Sequence, residues 1–276
     1  MTRLSVGVVI PTVGATSQLQ RLLISLQTQS QPPEVTVVVA GATANGVVEL
    51  AKRFGCLVIR DPVSGDRRSY ARNLGAASAR TQIIAFLDDD MEASDTLIEE
   101  CSTLAKSGAV AIVVPEVTRG SGILGKVRAW ERSLVESDVR LCFPRVIRRD
   151  TFLSTGGFDE TMSGFEDLDI TATLIEKRTP ITRATSHLIH HEESMTLRAY
   201  LIKRKRYVRN AKAYGAKHPS IAMQVLSPVK RLQMYLAGVQ SPSDLLYMVI
   251  GLCIRIVEAS RVEVGFSTAR SRHAGE

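Results

Sequence analysis

The chain has 276 residues, 45% of them hydrophobic and 23% charged, with a net charge of +7. That composition excludes a disordered or fibrous chain and leaves room for one large domain or two small ones. The charge is uneven: residues 194–243 hold ten Lys or Arg and no acid, while the remainder carries 25 basic and 28 acidic residues.

The opening apolar run, residues 6–10, is strand-length and ends at Pro11 with no small-residue cleavage site, so it reads as a strand and not a secretory leader. Residues 17–29 repeat Leu19, Leu22, Leu23 and Leu26 at helical spacing. Strand-like runs then follow at 35–40, 57–59, 83–87 and 110–114, separated by helical patterns at 47–54, 68–79 and 96–106. Such alternation predicts an α/β fold, a mostly parallel central sheet with helices on both faces. The runs are continuous, as expected of strands covered on both sides.

After Pro115 the pattern loosens. Gly120, Gly122 and Gly125 mark a loop, 124–135 a helix, 142–147 a strand, 156–164 a turn-rich loop and 166–176 a helix. From Met195 a basic amphipathic helix is predicted, with Leu197, Tyr200, Leu201, Tyr207, Val208, Ala211 and Tyr214 on one stripe. Its cations include Arg198, Lys203, Arg204, Lys205, Arg206, Arg209, Lys212 and Lys217. The bland reading is a solvated face, but a face without any acid partners is unusual. Residues 245–257 are apolar but shorter than the roughly twenty a membrane span needs, and Arg255 interrupts them, so they read as a buried or interfacial helix. Cys56, Cys101, Cys142 and Cys253 have neither metal nor redox spacing and read as reduced thiols of a cytosolic protein.

In open α/β sheets, ligands bind at the carboxyl ends of strands. There the run 83–87 delivers Asp88, Asp89 and Asp90. Three adjacent carboxylates repel one another unless a cation sits among them. If strand geometry persists, Asp88 and Asp90 point to the same side and can engage a divalent metal and its nucleotide. The alternative is a helix cap, which needs one Asp and not three. No G-x-G-x-x-G follows the first strand and no G-x-x-x-x-G-K-S/T stretch exists, which argues against a dinucleotide-binding dehydrogenase and a P-loop enzyme.

Four segments, in order, carry a resemblance: Val8-Val9-Ile10-Pro11-Thr12; Ala71-Arg72-Asn73-Leu74-Gly75; the Asp88, Asp89, Asp90 run; and Gly156-Gly157-Phe158-Asp159-Glu160 followed by Glu166-Asp167. Together they resemble a family 2 glycosyltransferase with the GT-A fold, over roughly residues 6–175. The resemblance implies an inverting, metal-dependent transfer of a sugar from a nucleotide-sugar donor. It places Pro11, Thr12, Ala40, Arg72, Asp88 and Asp89 at the donor and Asp90 on the metal. Asp167 becomes the base that deprotonates an acceptor hydroxyl, with Glu166 beside it, and Gly157, Phe158 and Asp159 fall on the acceptor side. Without the resemblance, Glu166 and Asp167 would read as acids in a helix's first turn. His190 or His191, in a cluster with His187, supplies a further metal ligand or is merely structural; an imidazole ligand tilts the cofactor from Mg²⁺ towards Mn²⁺.

One departure stands out. Relatives carry an acidic stretch after the second strand that reads the base, and here that position is Ala40-Gly41-Ala42-Thr43. The expected division is a GT-A domain over 1–193, with a nucleotide-binding half at 1–115 and an acceptor-side half at 116–193. A helical extension over 194–276 follows. The expected acceptor is a hydroxyl or phosphate of a glycan, a lipid-linked or a cell-envelope molecule. The basic helix would then rest on an anionic membrane surface, placing the protein in the cytoplasm and at the membrane's inner face. A role in oligomerisation stays open. Nucleic acid fits the charge alone, and no nucleic-acid-binding module is recognised. The competing functions are a non-catalytic sugar-nucleotide or glycan-binding module on the same fold, and a membrane-associated scaffold.

Overall fold

In the computed structural model, which describes residues 4–14, 16–41, 45–63, 67–192 and 196–256, every residue of the first strand, β1 (Val6–Thr12), is buried. The reason is that both faces of the strand are covered. Val6, Val8 and Ile10 join one core, and Val9 joins another. The first core is closed by α1 (Thr16–Gln27), α2 (Asn45–Arg53) and α4 (Leu97–Lys106), through residues such as Leu19, Leu22, Leu50 and Ile98. The second is closed by α3 (Arg68–Ser78), α6 (Arg149–Ser154) and α7 (Glu166–Glu176), through Ala71, Phe152 and Ile170. Each fully buried aliphatic side chain contributes about 1.5–3 kcal/mol.

The main sheet has seven strands. Parallel to β1 on one side run β2 (Glu34–Ala40) and then β3 (Leu57–Asp61); on the other runs β4 (Ile83–Phe86). Beyond β4 the sheet is mixed: β8 (Val146–Arg148) is antiparallel to both β4 and β6 (Ala111–Val113), and β9 (Ile181–Arg183) pairs parallel with β6. The expected mostly parallel sheet with helices on both faces is what forms, with β8 as its reversed member. β8 is also shorter than the run that announced it, because residues 142–145 lead into it as loop.

Four strands were not anticipated, β9 at the edge of the main sheet and three outside it. β5 (Met91–Ala93), β7 (Glu116–Gly120) and β10 (Leu188–Glu192) form a small second sheet in the order β5-β10-β7. The glycines expected to make a loop instead serve a close packing. Gly120 ends β7 and Gly125 lies inside α5 (Gly122–Val135). A Cβ on Gly125 would come within 2.5 Å of the Gly120 backbone.

The C-terminal part is helical: α8 (Leu197–Lys217), α9 (Pro219–Val225), α10 (Pro228–Gly238) and residues 242–256. Of the predicted stripe, Tyr200 and Tyr214 are buried and Leu197 is exposed. The side chains of residues 199 and 203–209, and all of Met195 and Val257, lie outside the described residues. Tyr214, Ile221, Ala222 and Val225 pack on Met162 and Phe165. Tyr235 and Met248 pack on Trp130 of α5. His218, buried, bridges Asp169 Oδ1 at 3.0 Å and Glu176 Oε2 at 2.9 Å on α7. The four cysteines are free, as expected. No helix among the described residues is long and apolar enough to cross a membrane.

Candidate functional site

The three aspartates do not continue the strand. β4 ends at Phe86, and a turn closed by Met91 N on Asp88 O, at 3.2 Å, carries the chain into β5. The alternation that would have paired Asp88 with Asp90 is therefore broken, and each carboxylate meets different partners. Asp88 accepts from Arg72 Nη2 at 2.6 Å and Arg145 Nη2 at 3.2 Å. Asp89 accepts from the Thr12 hydroxyl at 2.5 Å. Asp90 Oδ2 lies 3.1 Å from His190 Nε2, while Asp90 Oδ1 is buried with no hydrogen-bond partner.

Different surroundings give these acids different chemistry. Burial alone would raise the Asp88 carboxyl, but the Arg72 and Arg145 guanidiniums override it and hold it well below the usual carboxylate range. At Asp89 burial prevails. Burial, with Asp90 and Asp88 beside it, pushes it up to about 6 against the pull of the Thr12 hydrogen bond. Burial would lower His190, yet the bond to Asp90 and the Glu116 carboxylate 3.5 Å from Nδ1 raise it to about 9.

Arg72 sits on α3, where four residues of the Ala71-Arg72-Asn73-Leu74-Gly75 segment have separate jobs. Ala71 packs in the core. Gly75 lets the helix cross β1, since a Cβ there would lie 2.4 Å from Val9 Cγ1. Asn73 exchanges two hydrogen bonds of 2.9 Å with the backbone of Phe158 and so pins the Gly156–Glu160 loop in place. Arg72 itself has a side chain 0% exposed, with its cation 5.3 Å from the Phe158 ring and 5.6 Å from that of Phe143. It donates from Nη1 to Asp167 Oδ1 at 2.9 Å as well as to Asp88. Arg72 thus lines neither cleft described below; it ties the end of β4 to the start of α7.

A second buried arginine extends this bridge. Arg145, just before β8, donates to Asp88, to Phe86 O at 3.1 Å and through Nε to Glu116 Oε1 at 2.5 Å. Glu116 in turn pairs with Arg132 of α5. Against its burial, Arg145 and Arg132 hold the Glu116 carboxyl far below its ordinary range. Neither Arg145 nor Glu116 was anticipated. Each had a signal: Arg145 is a lone cation entering an apolar run, and Glu116 is an acid just beyond the strand end at Val113.

Two adjoining clefts open over these residues. The first, of about 250 Å³, is walled by Pro11, Thr12 and Ala40 on one side and by Arg67, Arg68 and Ala71 on another, with Asp88, Asp89, Asp90 and His190 below. The second, of about 300 Å³, shares Arg68, Asp88 and His190 and adds Glu116, Arg145, Glu166 and Asp167. Asp167, at 41% side-chain exposure, is open to it. Glu166 is mostly buried; burial and the neighbouring Asp167 raise its carboxyl, which accepts from Gly164 N.

Other expected residues fall outside the clefts. His191 points to the opposite side of β10 from His190 and meets Glu92 Oε2 at 2.9 Å, so of the two only His190 reaches the aspartates. Phe158 is buried against Phe86 and Phe152, Gly157 (φ 77°) lies too close to Asn73 for a side chain, and Asp159 is held by Lys217 Nζ at 2.9 Å. These three shape the loop from behind and do not line either cleft. Ala42 and Thr43 lie outside the described residues.

Among the described residues no three His, Cys, Asp or Glu side chains are grouped as a metal cage. Asp90 and His190 still suit a cation that a nucleotide delivers. Mg²⁺ or Mn²⁺ at phosphates is usually held by one or two protein ligands, with phosphate oxygens and water supplying the rest. The partnerless Asp90 Oδ1 is the atom such an ion would satisfy.

Comparison with known proteins identifies the family and the fold. Residues 7–165 match Glycosyl transferase family 2. The pre-mycofactocin glycosyltransferase of Mycobacterium tuberculosis is 27% identical over 238 residues, covering 78% of this chain and 48% of that protein. The chain thus spans about half the length of the curated relatives it matches. Among solved structures, the mannosyltransferase PcManGT from Pyrobaculum calidifontis, in complex with GDP-Man and Mn²⁺, superposes with a TM-score of 0.60 at 20% identity, covering 98% of this chain and 81% of that one. S. aureus TarS 1-349 in complex with UDP gives 0.58 at 14% identity, covering 96% and 92%. The fold is that of the GT-A glycosyltransferases, and the chain belongs to glycosyl transferase family 2.

Proposed function

We propose that the chain transfers a sugar from a nucleotide-sugar donor, seated in the cleft over Thr12 and Asp88–Asp90, to an acceptor hydroxyl or phosphate in the adjoining cleft, with inversion. The observation that carries this is the meeting of the two clefts over Asp88 and His190, with the donor-side acids on one hand and Asp167 on the other. Asp90 and His190 would hold Mn²⁺ or Mg²⁺, and the imidazole favours Mn²⁺. When bound, the cation supplies positive charge to the leaving diphosphate.

The remaining work falls to the chain's own side chains. Arg72 grips Asp167 through Oδ1, which orients the carboxylate and leaves Oδ2 for an acceptor. Oδ2 takes the proton from the acceptor hydroxyl as its oxygen attacks the anomeric carbon. The bond to the diphosphate breaks on the opposite face, which inverts the configuration. General-base catalysis of this kind contributes about 10²–10⁴-fold. Relatives bear on the donor only by analogy, since PcManGT was solved with GDP-Man and TarS with UDP and UDP-GlcNAc.

The C-terminal helices suggest where the acceptor is. Their outward faces carry Val229, Leu232, Leu236, Leu245, Leu246 and Val249, all exposed, within or beside the acid-free block of residues 194–243. Apolar rows with cations beside them suit an anionic membrane surface. A lipid-linked or cell-envelope glycan would reach the site from there.

The test of the catalytic reading is a panel of nucleotide diphosphates and nucleotide-sugars, with and without Mn²⁺, read by thermal shift. One nucleotide class should stabilise the protein in a metal-dependent way, and Asp90→Ala should weaken that stabilisation. Asp167→Asn should keep the stabilisation and lose sugar transfer. A variant Asp167→Asn that transfers at the wild-type rate would remove the base from the proposal.

A further inference from the structure

The acid that reads the base in relatives is missing here, and the structure shows what stands in its place. β2 ends at Ala40, which the sheet register sets beside Asp61, the last residue of β3. Gly41 N donates to Asp61 O at 3.0 Å, so the two strand ends leave the sheet together. The Asp61 side chain is 0% exposed and does not itself reach the cleft. It accepts from Val63 N at 3.0 Å and, through both oxygens, from Arg67 Nη1 at 3.0 and 3.2 Å. The Arg67 cation also lies over the Tyr70 ring, 3.9 Å from its centroid. Arg67 is 34% exposed and forms the cleft wall together with Ala40. A buried carboxylate and an aromatic face therefore hold a guanidinium at the cleft wall, beside the residue where relatives place an acid.

We propose that Arg67, positioned by Asp61 and Tyr70, reads the base of the donor nucleotide and selects bases with a carbonyl at C4 or C6, uracil or guanine, over those with an amino group there, cytosine and adenine. This rests on the reading that the cleft holds a nucleotide-sugar. A guanidinium only donates hydrogen bonds. Uracil offers O4 and guanine offers O6 with N7 beside it, a pair that a guanidinium fork fits. Cytosine N4 and adenine N6 are amino groups and set donor against donor. The bonds to Asp61 use Nη1, so the Nε and Nη2 edge is not the one committed to the carboxylate. Because the side chain is already fixed, little ordering cost remains when the base arrives.

The experiment is calorimetric titration of UDP, GDP, CDP and ADP, each with Mn²⁺, into wild-type protein, Arg67→Met and Arg67→Lys. Wild type should bind UDP at least about tenfold tighter than CDP, or GDP at least about tenfold tighter than ADP; which pair shows the gap identifies the base. Arg67→Met should weaken the preferred nucleotide by about tenfold and leave CDP and ADP within about twofold. Arg67→Lys keeps the charge beside Asp61 but lacks the planar fork, so the preference should still fall severalfold, and this variant serves if Arg67→Met does not fold. A wild type that binds CDP and ADP as tightly as UDP and GDP overturns the inference, as does a preference unchanged in a folded Arg67 variant. If no nucleotide diphosphate binds wild type, the donor reading falls and this inference with it. If one binds and the preference ignores Arg67, this inference alone falls.

Discussion

Asp88, Asp89 and Asp90 are the same residue three times, and their neighbours give them three uses. Asp88 is pinned between two buried arginines, Asp89 is tied to Thr12, and Asp90 turns to His190 with one oxygen unmet. Arg72 has the most consequential surroundings of any single side chain here. It is fully buried and pairs with Asp88 and Asp167 at once. Removing one member of a buried ion group costs about 3–5 kcal/mol, and the low end of that range applies here because Asp88 keeps Arg145 and Asp167 is 41% exposed. Arg72→Met should therefore lose stability on that scale in urea unfolding. Arg72→Lys should recover only part, since one ammonium replaces a fork that spans two carboxylates. An Arg72→Met protein within about 1 kcal/mol of wild type would show that the bridge is mainly a matter of orientation.

At the scale of elements, the site depends on the small second sheet, and that sheet is held by its flanks. Glu100, in the first turn of α4, accepts from Thr185 N, Thr185 Oγ1 and Ser186 N, each at 2.7 Å. It thereby anchors the segment that leads into β10 and His190. Slight burial works the other way, but these bonds bring the Glu100 carboxyl down from 4.5 to about 2. A carboxyl depressed by folding contributes in full above its unfolded value and loses that contribution as pH falls through the folded one. Glu100→Gln should therefore lower Tm by a constant amount above about pH 5, and the gap should narrow as pH drops from 4.5 towards 2. A gap that is equal at pH 7 and pH 3 would contradict this. The same sheet shows what a sequence reveals and what it hides. β1, β2 and β4 were legible as unbroken apolar runs because cores cover both of their faces. β5, β7 and β10 are three to five residues long and carry Glu92, Glu116, His190 and His191, so no apolar run marked them. The strand-end acids were legible for the same reason as the strands, whereas Glu116 and Arg145 reach the site from elements whose placement only the tertiary fold decides. The motif around Arg72 announced its importance but not its direction, because burial of a guanidinium depends on partners 16 and 95 residues away.

At the scale of the whole molecule, the helices after residue 196 form a second surface that the chemistry does not use. One side of the 242–256 helix packs Met248 on Trp130 and Tyr235 and offers Arg255 Nη2 to Glu131 at 3.1 Å. Its outer side presents Leu245, Leu246, Val249, Cys253 and Ile256, residues that recur at three- to four-residue steps, so they form a stripe with no charge in it. Lys230 and Lys212 are exposed on α10 and α8. If this surface meets an anionic bilayer, the protein should sediment with vesicles containing phosphatidylglycerol and stay in solution with phosphatidylcholine alone. Retention should weaken as salt rises, since the electrostatic part acts only within a Debye length. Leu245→Gln with Val249→Gln should leave stability nearly unchanged, because exposed positions tolerate substitution within about 0.5 kcal/mol each. The same pair removes two apolar side chains from the contact, each worth up to about 1.5–3 kcal/mol if fully buried there. Vesicle affinity should therefore fall by tenfold or more, while metal-dependent nucleotide binding in the cleft stays as it was. Equal recovery of wild type and double variant from anionic vesicles would assign the attraction to the cations alone. No retention of wild type on any vesicle would mean that the stripe is covered by protein, and the acceptor would then have to come to the cleft from solution.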